Sequence, residues 1–69
     1  MSYNFGKNVC RYREERLLPL DELAAKARMP SSVLADIENG VHFPTLYQIE
    51  RLLLALEASW RQMISNVPE

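Results

Sequence analysis

A joint of only about three residues, Arg28-Met29-Pro30, separates two stretches whose apolar residues recur at helical spacing. The apolar positions are Leu20, Leu23, Ala24 and Ala27 before the joint, and Val33, Leu34 and Ile37 after it. Spacings of three and four residues place side chains on one face of a helix, and the Asn39-Gly40 pair is a stop signal for the second helix. Because two helices joined so closely must cross steeply, residues 20–39 are predicted to form a pair of crossed helices.

Three further short helices are predicted, one before this pair and two after it. Their apolar stripes are Phe5, Val9 and Tyr12; Leu46, Ile49, Leu52, Leu53 and Leu56; and Trp60, Met63, Ile64 and Val67. Thr45 with Gln48 has the spacing of a capping box, and Ser59 repeats that spacing before the last helix. Since no stretch alternates as strands do, the sequence predicts an all-α fold of five short helices.

The 69-residue chain has the composition of one globular domain, with 48% apolar and 25% charged residues. Its single cysteine, Cys10, excludes an intrachain disulfide and favours a reducing cytoplasm. No apolar run approaches the roughly 18 residues that span a bilayer, so we expect no membrane association. Residues 1–69 are therefore predicted to be a single domain, and the last predicted helix leaves no room for an effector domain after it.

Charge is unevenly distributed along this chain, whose net charge is −1. Residues 1–28 carry six basic and four acidic side chains, whereas residues 29–69 carry two basic and five acidic ones. The basic side chains of the first part are able to contact phosphate groups. The slightly acidic net charge therefore does not exclude nucleic-acid binding.

No group of residues in the sequence suggests catalysis or metal binding. Cys10 and His42 are too few to form a structural zinc site, which needs four ligands. His42 is also the only histidine, and no nucleophile and acid accompany it in a recognisable arrangement. The chain lacks the glycine-rich loop that cradles phosphates in nucleotide-binding enzymes. We expect no enzymatic activity, no cofactor and no metal ion.

Most of the chain, residues 9–64, resembles a known family. The matching residues are Tyr12-Arg13-Glu14-Glu15-Arg16, Leu23-Ala24 with Ala27, Ile37-Glu38-Asn39-Gly40, Pro44-Thr45-Leu46, and Ala55-Leu56 with Ser59. Each is unspecific alone, but together they resemble the DNA-binding domain of phage-repressor and Cro-type regulators, the XRE family. The resemblance implies a compact five-helix, lambda-repressor-like fold with a helix-turn-helix at about residues 20–39. It also implies a sequence-specific transcriptional regulator, such as a repressor or controller protein.

The resemblance assigns roles to individual residues. The helix at about 31–39 would enter the major groove of double-stranded DNA. Its base-contacting residues would be Ser31, Ser32, Ala35 and Asp36. The residues contacting the DNA backbone would be Arg11, Lys26, Arg28, Asn39, His42, Thr45 and Tyr47. Arg13 and Glu38 match a family ion pair, which we interpret as structural because a planar guanidinium binds a carboxylate bidentately.

The chain departs from the family pattern at several positions. Pro19 and Pro30 replace the usual Ser or Thr, so the helices that follow lack side-chain caps. Leu20 replaces a glutamine that braces the recognition helix in the family. The family often has glycine at the positions of Leu17, Arg28 and Glu57. If the backbone there has positive φ, each side chain costs of order 1 kcal/mol.

The C-terminal part of the chain has more apolar side chains than a small monomer covers readily. We assign a homodimer contact, in the region of about residues 54–67, to Leu54, Met63, Ile64 and Val67. The family commonly pairs through this region, which would place two recognition helices about 34 Å apart on a palindromic operator. We expect Trp60 instead to fill the base of the core.

A second function also fits the sequence. No lysine or arginine stands on the outward face of the third helix, and Asp36 there repels phosphate groups. Leucines are predicted to be exposed at positions 17, 20 and 54. These features fit a helix-turn-helix fold that binds a protein partner and has little or no affinity for DNA.

Overall fold

Four α-helices are present in the part of the chain that the computed structural model describes, residues 5–59 and 61. They are α1 (Phe5–Glu15), α2 (Leu20–Lys26), α3 (Ser31–Glu38) and α4 (Leu46–Leu56). The crossed pair predicted at residues 20–39 is α2 and α3, and the joint between them covers residues 27–30. None of the described helices is long and apolar enough to span a membrane.

The prediction of five helices is wrong, because the structure has four helices in its described residues. The last of them, α4, ends at Leu56, and the next residue, Glu57, has a left-handed backbone conformation. The fifth helix was predicted from Ser59 onward, where only Ser59 and Arg61 lie within the described residues. Apolar spacing and a capping box are local signals, and so short a helix depends on packing partners that these signals do not identify.

The helix ends follow local sequence signals. Thr45 and Gln48 form the predicted capping box: the Gln48 amide donates to Thr45 Oγ1 at 3.1 Å, and the Thr45 amide donates to Gln48 Oε1 at 2.9 Å. Pro19 and Pro30 precede α2 and α3 with extended backbone and make no side-chain cap, as predicted. In α2 the acidic residues of the first turn compensate, because negative charge is favourable at a helix N-terminus.

All four helices close with the same pair of backbone hydrogen bonds, known as the Schellman motif. After α1, for example, the Leu18 amide donates to the Arg13 carbonyl at 3.1 Å and the Leu17 amide to the Glu14 carbonyl at 3.0 Å. The motif requires a left-handed residue, which glycine adopts without strain. The left-handed residues are Leu17, Arg28, Gly40 and Glu57, with φ of 54°, 61°, 77° and 54°. The backbone thus has positive φ at all three non-glycine positions where the family often has glycine, so the strain considered there applies.

The core lies between the four helices and is built from the predicted stripes. Its buried apolar residues are Phe5, Val9, Leu23, Ala24, Ala27, Leu34, Ile37, Leu52, Leu53 and Leu56. Two expectations about burial are wrong. Leu46, predicted to be buried, is exposed at the first residue of α4, where the helix extends past the core. Leu20, predicted to be exposed, is half-buried and packs against the core.

A close approach of α1 to α3 depends on Gly6. A Cβ atom added to Gly6 would lie 2.0 Å from the carbonyl oxygen of Ile37, which no real side chain permits. The absence of a side chain thus allows the backbones of the two helices to meet near the C-terminal end of α3. The sequence offered no signal for this contact, because it depends on the packing of residues 31 apart in the chain.

We expect Gly6→Ala to lower the free energy of unfolding by about 1–3 kcal/mol, because α1 must move away from Ile37. Urea unfolding monitored by circular dichroism measures the change. Lys7→Ala is the matched control, since Lys7 is the exposed neighbour on the same turn and its replacement should change stability by less than about 0.5 kcal/mol. Equal stability of the two variants would show that the close approach is not required.

We expect Leu17→Gly to be more stable than Leu17→Ala by about 0.5–1 kcal/mol. Both substitutions remove a leucine that is 90% exposed, but only glycine relieves the strain of a φ of 54°. Thermal unfolding of the two variants under the same conditions gives the difference. A glycine variant that melts at or below the temperature of the alanine variant contradicts this explanation.

Candidate nucleic-acid interface

The outward face of α3 is the centre of the candidate interface. Its buried residues are Leu34 and Ile37, which point into the core. The candidate base-contacting residues on the other faces are Ser32 and Asp36, which are exposed, and Ser31 and Ala35, which are half-buried. Asn39, directly after the helix, is exposed as well. The structure thus places the predicted residues together along one short helix, with no basic side chain among residues 31–39.

The N-terminal end of α3 is joined to α2 by a side-chain hydrogen bond. The hydroxyl of Ser31 donates to Oδ1 of Asp21 over 2.9 Å. Asp21 lies in the first turn of α2. It follows directly after Leu20, the position at which the family often has a bracing glutamine. Sequence analysis missed this bond because it joins residues ten positions apart, and only the crossing of the two helices brings them together.

The C-terminal end of α3 is joined to α1 by the ion pair of Arg13 and Glu38. Arg13 Nε lies 2.8 Å from Glu38 Oε2, and Arg13 Nη2 lies 3.2 Å from Glu38 Oε1, so the contact is bidentate. The third nitrogen, Nη1, donates to the carbonyl of Leu18 at 3.0 Å. The two side chains retain only 15% and 7% of their exposure. Each nitrogen of the guanidinium thus donates to an acceptor, and the side chain connects three segments of the chain.

The ion pair and its surroundings raise the pKa values of Arg13 and of Cys10. The hydrogen bond to Glu38 raises the pKa of Arg13 above its usual value, so the guanidinium remains charged. Burial, together with the nearby negative charge of Glu38, raises the pKa of the Cys10 thiol. Cys10 lies in the middle of α1, with its Sγ 3.8 Å from Arg13 Nη2. Cys10 therefore stays a protonated thiol at neutral pH.

The candidate backbone-contacting residues lie on several segments. All are exposed: Arg11 on α1, Lys26 at the end of α2, Arg28 in the joint, Asn39 after α3, and His42, Thr45 and Tyr47 around the start of α4. Arg28 extends from a left-handed position of the helix-turn-helix joint. Thr45 uses its oxygen as an acceptor in the capping box, so its hydroxyl hydrogen is still available to a phosphate oxygen.

The loop between α3 and α4 is held at both of its ends. The amides of Val41 and His42 donate to the Asp36 carbonyl at 2.8 and 3.1 Å. His42 Nε2 lies 3.3 Å from Gln48 Oε1, the same atom that accepts from the Thr45 amide. These hydrogen bonds therefore fix the position of the loop relative to α3.

Exposed apolar side chains are concentrated in this loop and at the start of α4, and sequence analysis did not identify this concentration. Four large side chains within seven residues are 60–79% exposed, namely Val41, Phe43, Leu46 and Tyr47. We call them the loop apolar surface. The available signal was the sequence Val41-His42-Phe43, whose apolar residues belong to no helical stripe.

Of the four residues predicted to form the dimer contact, Leu54 alone lies within the described residues. Leu54 is 67% exposed on α4, away from the buried stripe. Met63, Ile64 and Val67, and also Trp60, lie outside the described residues. Within residues 5–59 and 61, no three His, Cys, Asp or Glu side chains gather as a metal site.

We expect Arg13→Met to lower the free energy of unfolding by about 3 kcal/mol, because it leaves the largely buried Glu38 carboxylate without a counter-charge. The double variant Arg13→Met/Glu38→Met should recover part of this loss, since no unpaired charge remains. Arg16→Met is the control: Arg16 is exposed, and its contacts are the Tyr12 ring at 5.1 Å and an exposed hydrogen bond to the Tyr12 carbonyl at 3.2 Å. Chemical unfolding that shows equal losses for Arg13→Met and Arg16→Met would contradict a structural role for the pair.

Several solved structures share this fold. The restriction-modification controller protein C.AhdI from Aeromonas hydrophila has a TM-score of 0.85 and 24% identity, over 90% of this chain and 94% of that one. The SinR–SinI complex has a TM-score of 0.79 and 30% identity, over 86% of this chain and 58% of that one. SinR, the master regulator for biofilm formation, in complex with DNA has a TM-score of 0.75 and 32% identity, over 80% and 89%.

No curated protein sequence matches the chain. The family profile described as Helix-turn-helix matches residues 11–62, which is most of its length. The matched segment includes α2, α3 and α4 entirely, and it also includes both residues of the ion pair that joins α1 to α3. The chain belongs to the XRE family of helix-turn-helix proteins, the family of phage-repressor and Cro-type transcription regulators.

Proposed function

We propose that this protein is a DNA-binding transcriptional regulator that inserts α3 into the major groove. The observation that carries the proposal is the state of α3 itself. The helix is attached at one end through Ser31 to α2 and at the other through Glu38 to α1, while Ser32, Asp36 and Asn39 remain exposed. A rigidly held helix with an open polar face suits a groove that admits one α-helix. The family membership and the likeness to SinR in complex with DNA support the same function.

The phosphate contacts would supply most of the affinity. Arg11, Lys26 and Arg28 are exposed and lie in or before the helix-turn-helix, so they can position the protein on the DNA backbone. Base contacts from α3 alone would be weak, because its exposed side chains are short and Asp36 is negatively charged. A single domain of this kind therefore gains from a second copy that doubles the number of contacts.

We further propose that two copies bind a palindromic operator. Leu54 presents a large apolar side chain to solvent on α4, and Met63, Ile64 and Val67 are the other proposed contact residues. A two-fold interface would bury such side chains and set the spacing of the two α3 helices at about one turn of DNA. Loss of dimerisation should then weaken operator binding without changing the contacts of each half-site.

A second candidate function is supported by the loop apolar surface. Monomeric proteins seldom expose large apolar side chains side by side without a binding role. Val41, Phe43, Leu46 and Tyr47 could bind a protein partner, and the fold would then serve as an interaction module. Phosphate contacts and the loop apolar surface use different residues apart from Tyr47, so the two functions can be separated by mutation.

Fluorescence anisotropy with labelled DNA from upstream of the gene, at two or more salt concentrations, tests DNA binding. Each phosphate contact contributes nearly one unit to the slope of log affinity against log salt. Arg11→Glu and Arg28→Glu, each alone, should weaken binding about tenfold or more and lower the slope by about one unit. Arg16→Glu makes the same change of charge at an arginine outside the proposed interface, and it should have a much smaller effect.

Absence of binding at low salt, or binding without a salt dependence, would contradict the DNA-binding proposal. Co-purification with a protein that is released by Phe43→Ser but not by Arg28→Glu would favour the interaction module instead. Light scattering measures the molar mass of the wild-type protein and of Leu54→Ser. This comparison tests dimerisation independently of DNA binding and of partner binding.

A further inference from the structure

The bond between Ser31 and Asp21 fixes the hydrogen-bonding character of Ser31. A serine hydroxyl has one hydrogen to donate and two lone pairs with which to accept. Ser31 donates its only hydrogen to Asp21 Oδ1 at 2.9 Å, and an ionised carboxylate is solely an acceptor, so the direction of the bond is determined. Ser31 can therefore offer only lone pairs to a further partner.

The charged residue on the exposed face of α3 is likewise an acceptor. Asp36 is exposed, and its carboxylate accepts hydrogen bonds without donating any. Within α3 the helix contributes no lysine, arginine, asparagine or glutamine to this face, and Ser32 is the one exposed side chain with a hydrogen to donate. The face of α3 thus consists mainly of acceptors.

The bases differ in what they present to such a face. In the major groove adenine presents its N6 amino group and cytosine its N4 amino group, which are donors. Guanine presents N7 and O6 and thymine presents O4, all of which are acceptors. An acceptor-only side chain therefore distinguishes adenine and cytosine from guanine and thymine on the strand that it contacts.

We propose that Asp21 is a positioning residue that restricts Ser31 to accepting, so that α3 selects bases with an amino group in the major groove. The proposal rests on the proposed DNA-binding function and adds the class of base that is read. Asp21 does not contact DNA in this account. It acts by taking the hydrogen of Ser31, which begins α3 and belongs to the end that approaches base edges in helix-turn-helix proteins.

Selection of bound sequences from a random duplex library, followed by sequencing, tests the proposal with the whole chain. The wild-type protein should enrich adenine or cytosine at one position of the site. Asp21→Ala should relax that position so that guanine and thymine are accepted, with the preference falling about fivefold, the worth of one hydrogen bond. Ser31→Ala should relax the same position. Glu22→Ala removes an equal charge from the same turn of α2 and should leave every position unchanged.

The outcomes separate this proposal from the function on which it rests. Enriched sequences that are identical for wild type, Asp21→Ala and Ser31→Ala overturn the role of Asp21 and leave DNA binding intact. Enrichment of guanine or thymine by the wild type at the position sensitive to Ser31→Ala also overturns it. No enrichment together with no salt-dependent binding overturns the proposed function itself. If Asp21→Ala unfolds in a thermal melt, the comparison of Ser31→Ala with wild type decides between these results.

Discussion

The bidentate contact between Arg13 and Glu38 joins two helices across 25 residues of the chain and holds the C-terminal end of α3. It joins α1 to the last residue of α3, and the same guanidinium binds the Leu18 carbonyl before α2 begins. The backbone of α1 also approaches α3 closely at Gly6, against the Ile37 carbonyl. A domain of this size hides a smaller share of its surface than a large one does, so a few specific contacts decide where its helices lie.

The position of α3 follows from contacts at both of its ends. The ion pair holds the C-terminal end, and the hydrogen bond from Ser31 to Asp21 holds the N-terminal end. Neither contact uses the exposed residues Ser32 or Asp36, so the helix can be rigid while its outward face stays open. Leu17, Arg28 and Glu57 are left-handed and strained, and each lies at a helix end where Schellman hydrogen bonds satisfy the last backbone carbonyls of the helix.

Local chemistry was predictable from the sequence, and contacts that depend on packing were not. The Thr45 capping box follows from a short-range signal, and the structure contains it. The left-handed conformation of Arg28 was suggested by the resemblance to the family, which often has glycine at that position, and the structure contains it as well. Burial of Leu46 was predicted wrongly, because periodicity identifies a face of α4 but not the end that extends past the core. The Ser31–Asp21 bond and the close approach at Gly6 each depend on a helix crossing, which residue patterns leave undetermined.

The central claim, that α3 enters the groove of DNA, is tested most directly by following backbone amides in an NMR titration with a short duplex at low salt. The account predicts the largest shifts at Ser32, Asp36 and Asn39, with further shifts at Arg28 and little change at Leu54 until two copies bind. The amides of α3 should return towards their free positions as salt is added, because phosphate contacts supply most of the affinity. Saturating binding that leaves the α3 amides unmoved, or no shifts at any DNA concentration, would contradict the claim.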